Sequence, residues 1–542
     1  MHPPSPAGPD IVKNRWLGFL IWQSITATSI YLLVSPLLGS PMLSFPSLSS
    51  SLSFLAFHLA LLLFSLSLFL TSAPHPEPSA SLPELAAGLL RLLLKSAVGG
   101  FQGPSFEPDL RRRAGRTMRC LALVVLCGVS GFLSVVALCG DLEALDGWGL
   151  LDAGLRGLVL GLVYGSYCVY KKRWVLQFPI IQRPLFFSFK MGLCSSLKQA
   201  IKLSISALTC SLLLMIFLLD HLKSSERPGR FIFQEIRLLF GASAVSFCWE
   251  LSRHLLEVVH TRRCSFAPAL GSAAAETNPN EILLEALEKS SPRSLFQYLA
   301  YLDLCVVSES NVELWLRAAF FEETGETYRR VISVCLGPLE QFTLRLAEAL
   351  EGLYPDKSNL LSLQLRSPSD APRDQGLHEA FSDFQLCTWC IRTAAALTAC
   401  SHQEDRFGVA QLTGSNAAVV STLLSCLLGV ELCMGKKPNL QSAHQMGPAS
   451  IKWATVQTGS RDAVTTVSSK RRSGALYAKA YAMADVLRTS IYQIVSVFEP
   501  DMLANAKASV LEKNWITGSK PLYGTREMLI QKLGLFLEYR AS

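Results

Sequence analysis

The chain has 542 residues, 50% of them hydrophobic and 17% charged, against about 25% charged in an average soluble domain. This excludes a disordered or collagen-like chain and argues against a purely soluble one. The net charge is +8; residues 1–263 hold 24 Lys+Arg and 14 Asp+Glu, hence +10, and residues 264–542 hold 26 and 28, hence −2. The basic excess therefore shares its half with the long apolar runs. That is the pattern of a membrane protein with basic cytoplasmic loops, and no direct nucleic-acid partner is expected.

A helix needs about 20 apolar residues to cross a bilayer. Trp16 to Leu38, Leu52 to Leu70, Cys120 to Gly140 and Leu203 to Leu219 meet or approach that length. Leu150 to Tyr170, which carries Asp152 and Arg156, is a fifth candidate. Phe231 to His254, with Glu235, Arg237, Glu250 and Arg253, is a sixth. The first run is longer than the apolar core of a cleaved signal peptide, about 7–15 residues. Six spans make a transmembrane domain over 1–263.

Orientation follows from Lys and Arg in the connections. Lys13 and Arg15 precede the first span. Seven basic residues, among them Arg111 to Arg113, lie in the second connection, and six, beginning at Lys171, lie in or just after the fourth. The first connection, 39–51, and the third, 141–149, have none. Both termini are therefore expected on the cytoplasmic side. No cysteine falls in the expected luminal connections, and no Asn-x-Ser/Thr sequon occurs.

Within the fourth span, Gly149, Ala153, Gly157, Gly161 and Gly165 recur every four residues. They form a smooth ridge that another helix backbone can approach closely. The partner helix lies either in the same bundle or in a second copy, so a homo-oligomer is one reading. Asp152 and Arg156 stand i,i+4 and can pair. Glu250, His254, Glu257 and His260 have half the spacing of a carboxylate–histidine metal site, but no second Glu-x-x-His helix occurs; a polar, snorkelling helix end is the plainer reading. Leu82 to Val98 reads as a helix for the membrane interface or for internal packing.

Residues 264–280 are Ala/Ser/Pro-rich and read as a linker. Residues 281–542 read as a soluble α-helical domain with flexible insertions near 354–376 and 435–473. The expected helices run Asn280–Ser290, Ser294–Val307, Leu314–Phe321, Thr327–Leu353, Phe381–Cys400, Asn416–Cys433, Gly474–Phe498 and Thr525–Glu538. Leu295, Leu299, Leu302 and Val306 form one stripe, and Ser310-x-x-Glu313 reads as a capping box. The last helix closes the domain core or lies on a partner or membrane. The fold class is thus all-α: a six-span bundle followed by a cytoplasmic helical domain.

No nucleotide-binding loop, zinc-protease motif or nucleophile elbow occurs, so no enzymatic activity and no cofactor or metal is expected. Cys387-x-x-Cys390 is one pair inside a helix and reads as two buried thiols. Lys470-Arg471-Arg472 reads as a solvated charge run or a localisation patch. Phe-Gly occurs only at Phe240-Gly241 and Phe407-Gly408, so the chain supplies no Phe-Gly-rich mesh.

Three motifs stand out together: Phe178-Pro179-Ile180-Ile181-Gln182, Glu404-Asp405-Arg406-Phe407-Gly408-Val409, and the helix Ala484 to Phe498. With six spans, a helical second half and the Tyr298-Leu299-Ala300 and Asp303-Leu304 region, the chain resembles the Ndc-type transmembrane nucleoporins. The resemblance implies residence in the nuclear envelope at the pore membrane and anchoring of the pore scaffold. It also implies a part in pore assembly and transport. Scaffold nucleoporins, other pore-membrane-ring proteins and the lipid bilayer are the implied partners. In the Glu404 motif, the acidic residues are expected to start a turn, Arg406 to pair with them, Phe407 to plug a core and Gly408 to allow close packing. The motif is then a structural hinge or a partner surface. A polytopic transporter or an endoplasmic-reticulum membrane enzyme is the alternative; only the fourth and sixth spans carry charges, and no internal repeat is visible.

Overall fold

The computed structural model describes residues 8–38, 48–76, 108–139, 147–179, 181–218, 228–268, 271–351, 371–435, 475–504 and 514–541. Among them the regular structure is helical, apart from one isolated parallel bridge between Ala73 and Val175. The chain divides into two compact units.

Unit 1 comprises Met1–Arg263 with Arg293–Phe296. Its helices are α1 (Gly8–Val34), α2 (Leu48–Thr71), α3 (Pro108–Cys139), α4 (Gly147–Tyr170), α5 (Leu185–Leu218) and α6 (Pro228–His260). Backbone polar groups in such apolar segments must be satisfied within the segment, which helices achieve. Several polar side chains inside the unit pair between helices. Gln23 of α1 donates to Ser65 of α2 and, at 3.0 Å, to Ser252 of α6. Ser130 of α3 donates to the Ala60 carbonyl of α2 at 2.7 Å, and Ser204 of α5 donates to Ser246 of α6 at 3.0 Å. Around them packs an apolar core in which Phe64, Tyr164 and Trp249 meet with centroids 5.0–5.7 Å apart. Outward-facing Ile21, Trp22, Leu55 and Leu59 are exposed, as a lipid-facing surface requires.

Five helical segments are long and apolar enough to cross a membrane by length and composition: Asp10–Leu38, Ser50–Thr71, Arg112–Cys139, Leu185–Leu214 and Ser415–Cys433. The six-run expectation differs at two helices. The helices α4 and α6 fall outside this set because Asp152, Arg156 and the glycines of the one, and Glu235, Arg237, Glu250 and Arg253 of the other, dilute their apolar character. The fifth segment, Ser415–Cys433, belongs to unit 2, as the sequence placed it.

Unit 2 comprises Cys264–Pro292 and Gln297–Ser542. Its helices are α7 (Ala273–Thr277), α8 (Glu281–Lys289), α9 (Leu295–Glu309), α10 (Leu314–Ala318), α11 (Glu326–Glu351), α12 (Ala371–Ala380), α13 (Phe384–Glu404), α14 (Val409–Leu412), α15 (Ser415–Cys433), α16 (Ala475–Ala504) and α17 (Arg526–Ala541). The apolar window of α15 is 78% buried, against 17–50% for the other four segments. A helix apolar all round is either a span or the centre of a core, and the packing of α11, α16 and α17 against α15 makes it a core helix. Leu529, Leu533 and Leu537 of α17 are buried in the same core. Lys532 of α17 and Arg488 of α16 each donate to Glu431 of α15 at 2.8 Å.

Two local expectations change. The Ser310/Glu313 capping box does not form: Ser310 Oγ instead accepts from the Val312 amide at 3.1 Å, and the N-cap residue Glu313 makes no side-chain cap bond. The segment 264–280 carries α7 and tucks Phe266 into the unit, its amide donating to buried Asp303 at 2.9 Å. The insertion expected near 435–473, most of the one near 354–376, the Leu82–Val98 helix and the Lys470–Arg472 run lie outside the described residues.

Candidate functional site

The clearest concentration of chemistry in unit 1 is a basic pole. Successive helices run antiparallel, so the starts of α1, α3 and α5 meet the ends of α2, α4 and α6. The last carbonyls of a helix have no intrahelical partners, and arginines from neighbouring helices supply them. Arg15 donates to His260 O and Arg262 O, both at 2.7 Å. Arg116, fully buried, donates to Thr71 O at 2.9 Å and lies 3.7 Å over the Trp174 ring. Arg173 grips Glu250 with two bonds, one of them 2.8 Å. Arg253 donates to Glu257 at 2.9 Å.

The chain between α4 and α5 is tied across this pole. Ala73 N donates to Trp174 O at 3.2 Å and Leu176 N to Ala73 O at 2.9 Å. In this extended stretch alternate side chains point inward: Trp174, Leu176 and Phe178 are buried. Pro179 and Ile181 are exposed, and Ile180 lies outside the described residues. Gln182 donates to Thr261 O at 3.4 Å and accepts from Arg263 N at 3.2 Å.

The four polar residues of α6 diverge instead of snorkelling as a group. Glu250 is wholly buried against Arg173. His254 bonds Ser188 O at 3.1 Å, and His260 bonds Leu256 O at 3.0 Å between the rings of Phe19 and Phe69. Among the described residues no group of three or more His, Cys, Asp or Glu is placed to hold a metal ion.

At the opposite pole, Asp152 and Arg156 pair at 3.1 Å, and Arg156 also donates to Glu235 of α6 at 2.5 Å. Between the poles runs the small-residue ridge. Gly157, Gly161 and Gly165 face Gly131, Cys127 and Val124 of α3 in turn. A Cβ at Gly157 or Gly161 would overlap a carbonyl oxygen of α3, and one at Gly165 would lie 2.9 Å from Val124 Cα. Ala153 is buried and Gly149 half-buried. From Gly157 to Gly165 the ridge is occupied inside the chain by α3.

In unit 2 the Glu404 motif is arranged differently from the local reading. Glu404 is held by Arg317 of α10, with bonds at 2.5, 3.0 and 3.1 Å. Arg406 is exposed, and its side chain has no polar partner among the described residues. Asp405 accepts from Ala410 N at 2.8 Å, anchoring α14. Phe407 is 52% exposed and fills no core; Val409 is the buried residue. Gly408 has φ +67° with open space around it, so glycine serves the left-handed backbone there, not close packing. Cys387 and Cys390 are buried, and burial pushes both thiols up, away from reactivity.

Residues 155–379 match the family described as nucleoporin protein Ndc1-Nup. The match supports an Ndc1-type nucleoporin. No curated protein matches the chain significantly. The matched stretch takes in Gly157 to Gly165, the Phe178 segment, the Arg173–Glu250 pair and the Tyr298 to Asp303 region, and ends before Glu404. It also spans the boundary between the two units. This is a structural nucleoporin family of the pore membrane ring, and nuclear pore components are its associates.

Sequence reasoning missed Arg173 and Arg317. Their partners lie 77 and 87 residues away, beyond any local spacing rule. The one available signal was that a carboxylate inside an apolar helix, such as Glu250, demands a cation.

Proposed function

We propose that the chain is a structural anchor that holds the nuclear pore scaffold to the membrane where inner and outer nuclear membranes join. One observation carries this reading: the family match straddles an apolar bundle and a helical second unit, the two parts an anchor needs. On this reading α1 to α6 cross the bilayer, the basic pole and both termini face the cytoplasm and pore, and unit 2 binds scaffold nucleoporins or other ring proteins. The binding surface is centred on the Arg317–Glu404 pair. That pair joins α10 to the 404–409 turn, where Trp315, Phe407 and Leu412 are exposed apolar side chains. Exposed aromatic and aliphatic anchors are what interface centres use.

Imaging the full chain with a fluorescent tag tests the reading. Nuclear-rim puncta that coincide with pores are expected; a uniform reticular signal overturns it. Tags at residues 2 and 542 should be accessible after selective permeabilisation of the plasma membrane, and a tag near Gly147 should stay protected. Phe407→Asp with Leu412→Asp should keep rim localisation but recover fewer scaffold nucleoporins on purification.

A further inference from the structure

We infer that the first half of α5 is a binding shelf for anionic phospholipid headgroups. This is independent of the nucleoporin reading, because it rests on one helix face alone.

The helix α5 has 34 residues and contains no Asp or Glu. At about 1.5 Å per residue it is about 50 Å long, and a hydrocarbon core of about 30 Å takes only about 20 residues. Counted back from Leu218, about 20 residues reach position 199. The turns before that lie at or beyond the hydrocarbon edge, at the basic pole of unit 1. Lys190 and Lys198 are exposed on this stretch and Lys202 is exposed one turn inside its edge, where its chain can snorkel out to the headgroups; none is paired with a carboxylate among the described residues. At 100° per residue they fall on the same face as exposed Phe187, Met191 and Ile201.

That combination fits one environment. In open water the three apolar side chains would have no reason to be exposed together. In hydrocarbon the three ammonium groups would be costly. The headgroup layer accepts both, apolar side chains inward and lysines outward. A face with three unpaired cations and no acidic residue complements lipids with a net negative charge better than zwitterionic ones. Each lysine close to an anionic surface strengthens attachment about 5-fold, so the three together contribute on the order of 100-fold.

The test uses the full chain, delipidated in neutral detergent, with phosphatidylserine and phosphatidylcholine offered in competition. Bound lipids are counted by native mass spectrometry. The wild type should retain phosphatidylserine preferentially. Lys190→Gln/Lys198→Gln/Lys202→Gln should lose that preference by roughly the 100-fold expected from three lysines, and the same three changed to Arg should keep it. Lys171→Gln/Lys172→Gln, at the same pole but off the shelf, should also keep it. Equal retention of both lipids by the wild type overturns the inference, as does unchanged preference in the Gln triple. Equal loss in the Lys171/Lys172 variant would mean that diffuse pole charge, not this face, selects the lipid. Displacement of phosphatidylserine by equimolar inorganic phosphate would make it a free-phosphate site and equally overturn the assignment.

Discussion

Gly161 of α4 lies against the Cys127 carbonyl of α3 so closely that a methyl group on it would overlap the oxygen. The contact is backbone against backbone, so no side chain can rotate away to relieve a substitution. Gly161→Leu should therefore force the two helices apart and cost on the order of 1–3 kcal/mol. A lower melting temperature in detergent is expected, measured by size-exclusion chromatography after heating. Gly18→Ala, within α1 and with open space around it, should not lower the temperature, since alanine favours a helix interior. Equal stability of Gly161→Leu and wild type would place the ridge against lipid.

Among the described residues of unit 1, Glu250 and Arg173 form the most deeply buried ion pair, with side chains 1% and 17% exposed. Removing one partner strands the other charge in a low-dielectric site, at a cost of about 3–5 kcal/mol. Glu250→Ala should thus accumulate poorly and unfold early. The double variant Arg173→Met/Glu250→Leu, which strands neither member of the pair, should recover much of the loss. A double variant no better than Glu250→Ala would contradict the pairing.

Arg317 is the cation that answers Glu404, and it also donates to Ser310 O at 3.1 Å. Arg317→Ala should destabilise unit 2 by about 2–4 kcal/mol, since it leaves a partly buried carboxylate and a carbonyl without their donor. Arg406→Ala should change stability by no more than about 0.5 kcal/mol. Urea titration of the two variants side by side separates them; similar midpoints would restore the local reading in which Arg406 holds the acidic residues.

Glu322 supplies a pH test in unit 2. Burial pushes its carboxyl up, but bonds from Thr327 N at 3.0 Å, Thr327 Oγ1 at 2.6 Å and Thr324 Oγ1 at 2.9 Å outweigh burial and hold it below the usual carboxylate range. A depressed folded-state pKa gives stability that is present above the unfolded value and lost as pH falls through the folded one. Wild type should therefore exceed Glu322→Gln in melting temperature at neutral pH, and the gap should close on acidification through the carboxylate range. A gap that persists or widens in acid would refute this.

Helix positions in unit 2 were readable from apolar periodicity because its helices bury their leucines: Leu299 and Leu302 on α9, and Leu529 and Leu533 on α17, are all inside. The places where local reasoning failed have a common cause. Ser310 and Glu313 have capping spacing, but the Ser310 hydroxyl bonds the Val312 amide in a turn. Phe407 looks like a core residue, yet Val409, two positions on, takes the buried place. Hydropathy alone favours α15 as a span and passes over α4, because it cannot see which apolar helix is already wrapped by others or which polar helix has its charges paired. Tertiary partners decide these cases.

The contacts of Arg15 have a bearing on how the protein is made. Its guanidinium is satisfied by carbonyls 244 to 247 residues further along, and Gln23 on the same helix waits for Ser252. If α1 spans the membrane as proposed, it enters before these partners on and after α6 have left the ribosome. The second helix can engage it early through Ser65, but the seam between α1 and α6 closes only once α6 is in place. Chains that end before α6 therefore keep an open seam along α1, however well the intervening helices have packed.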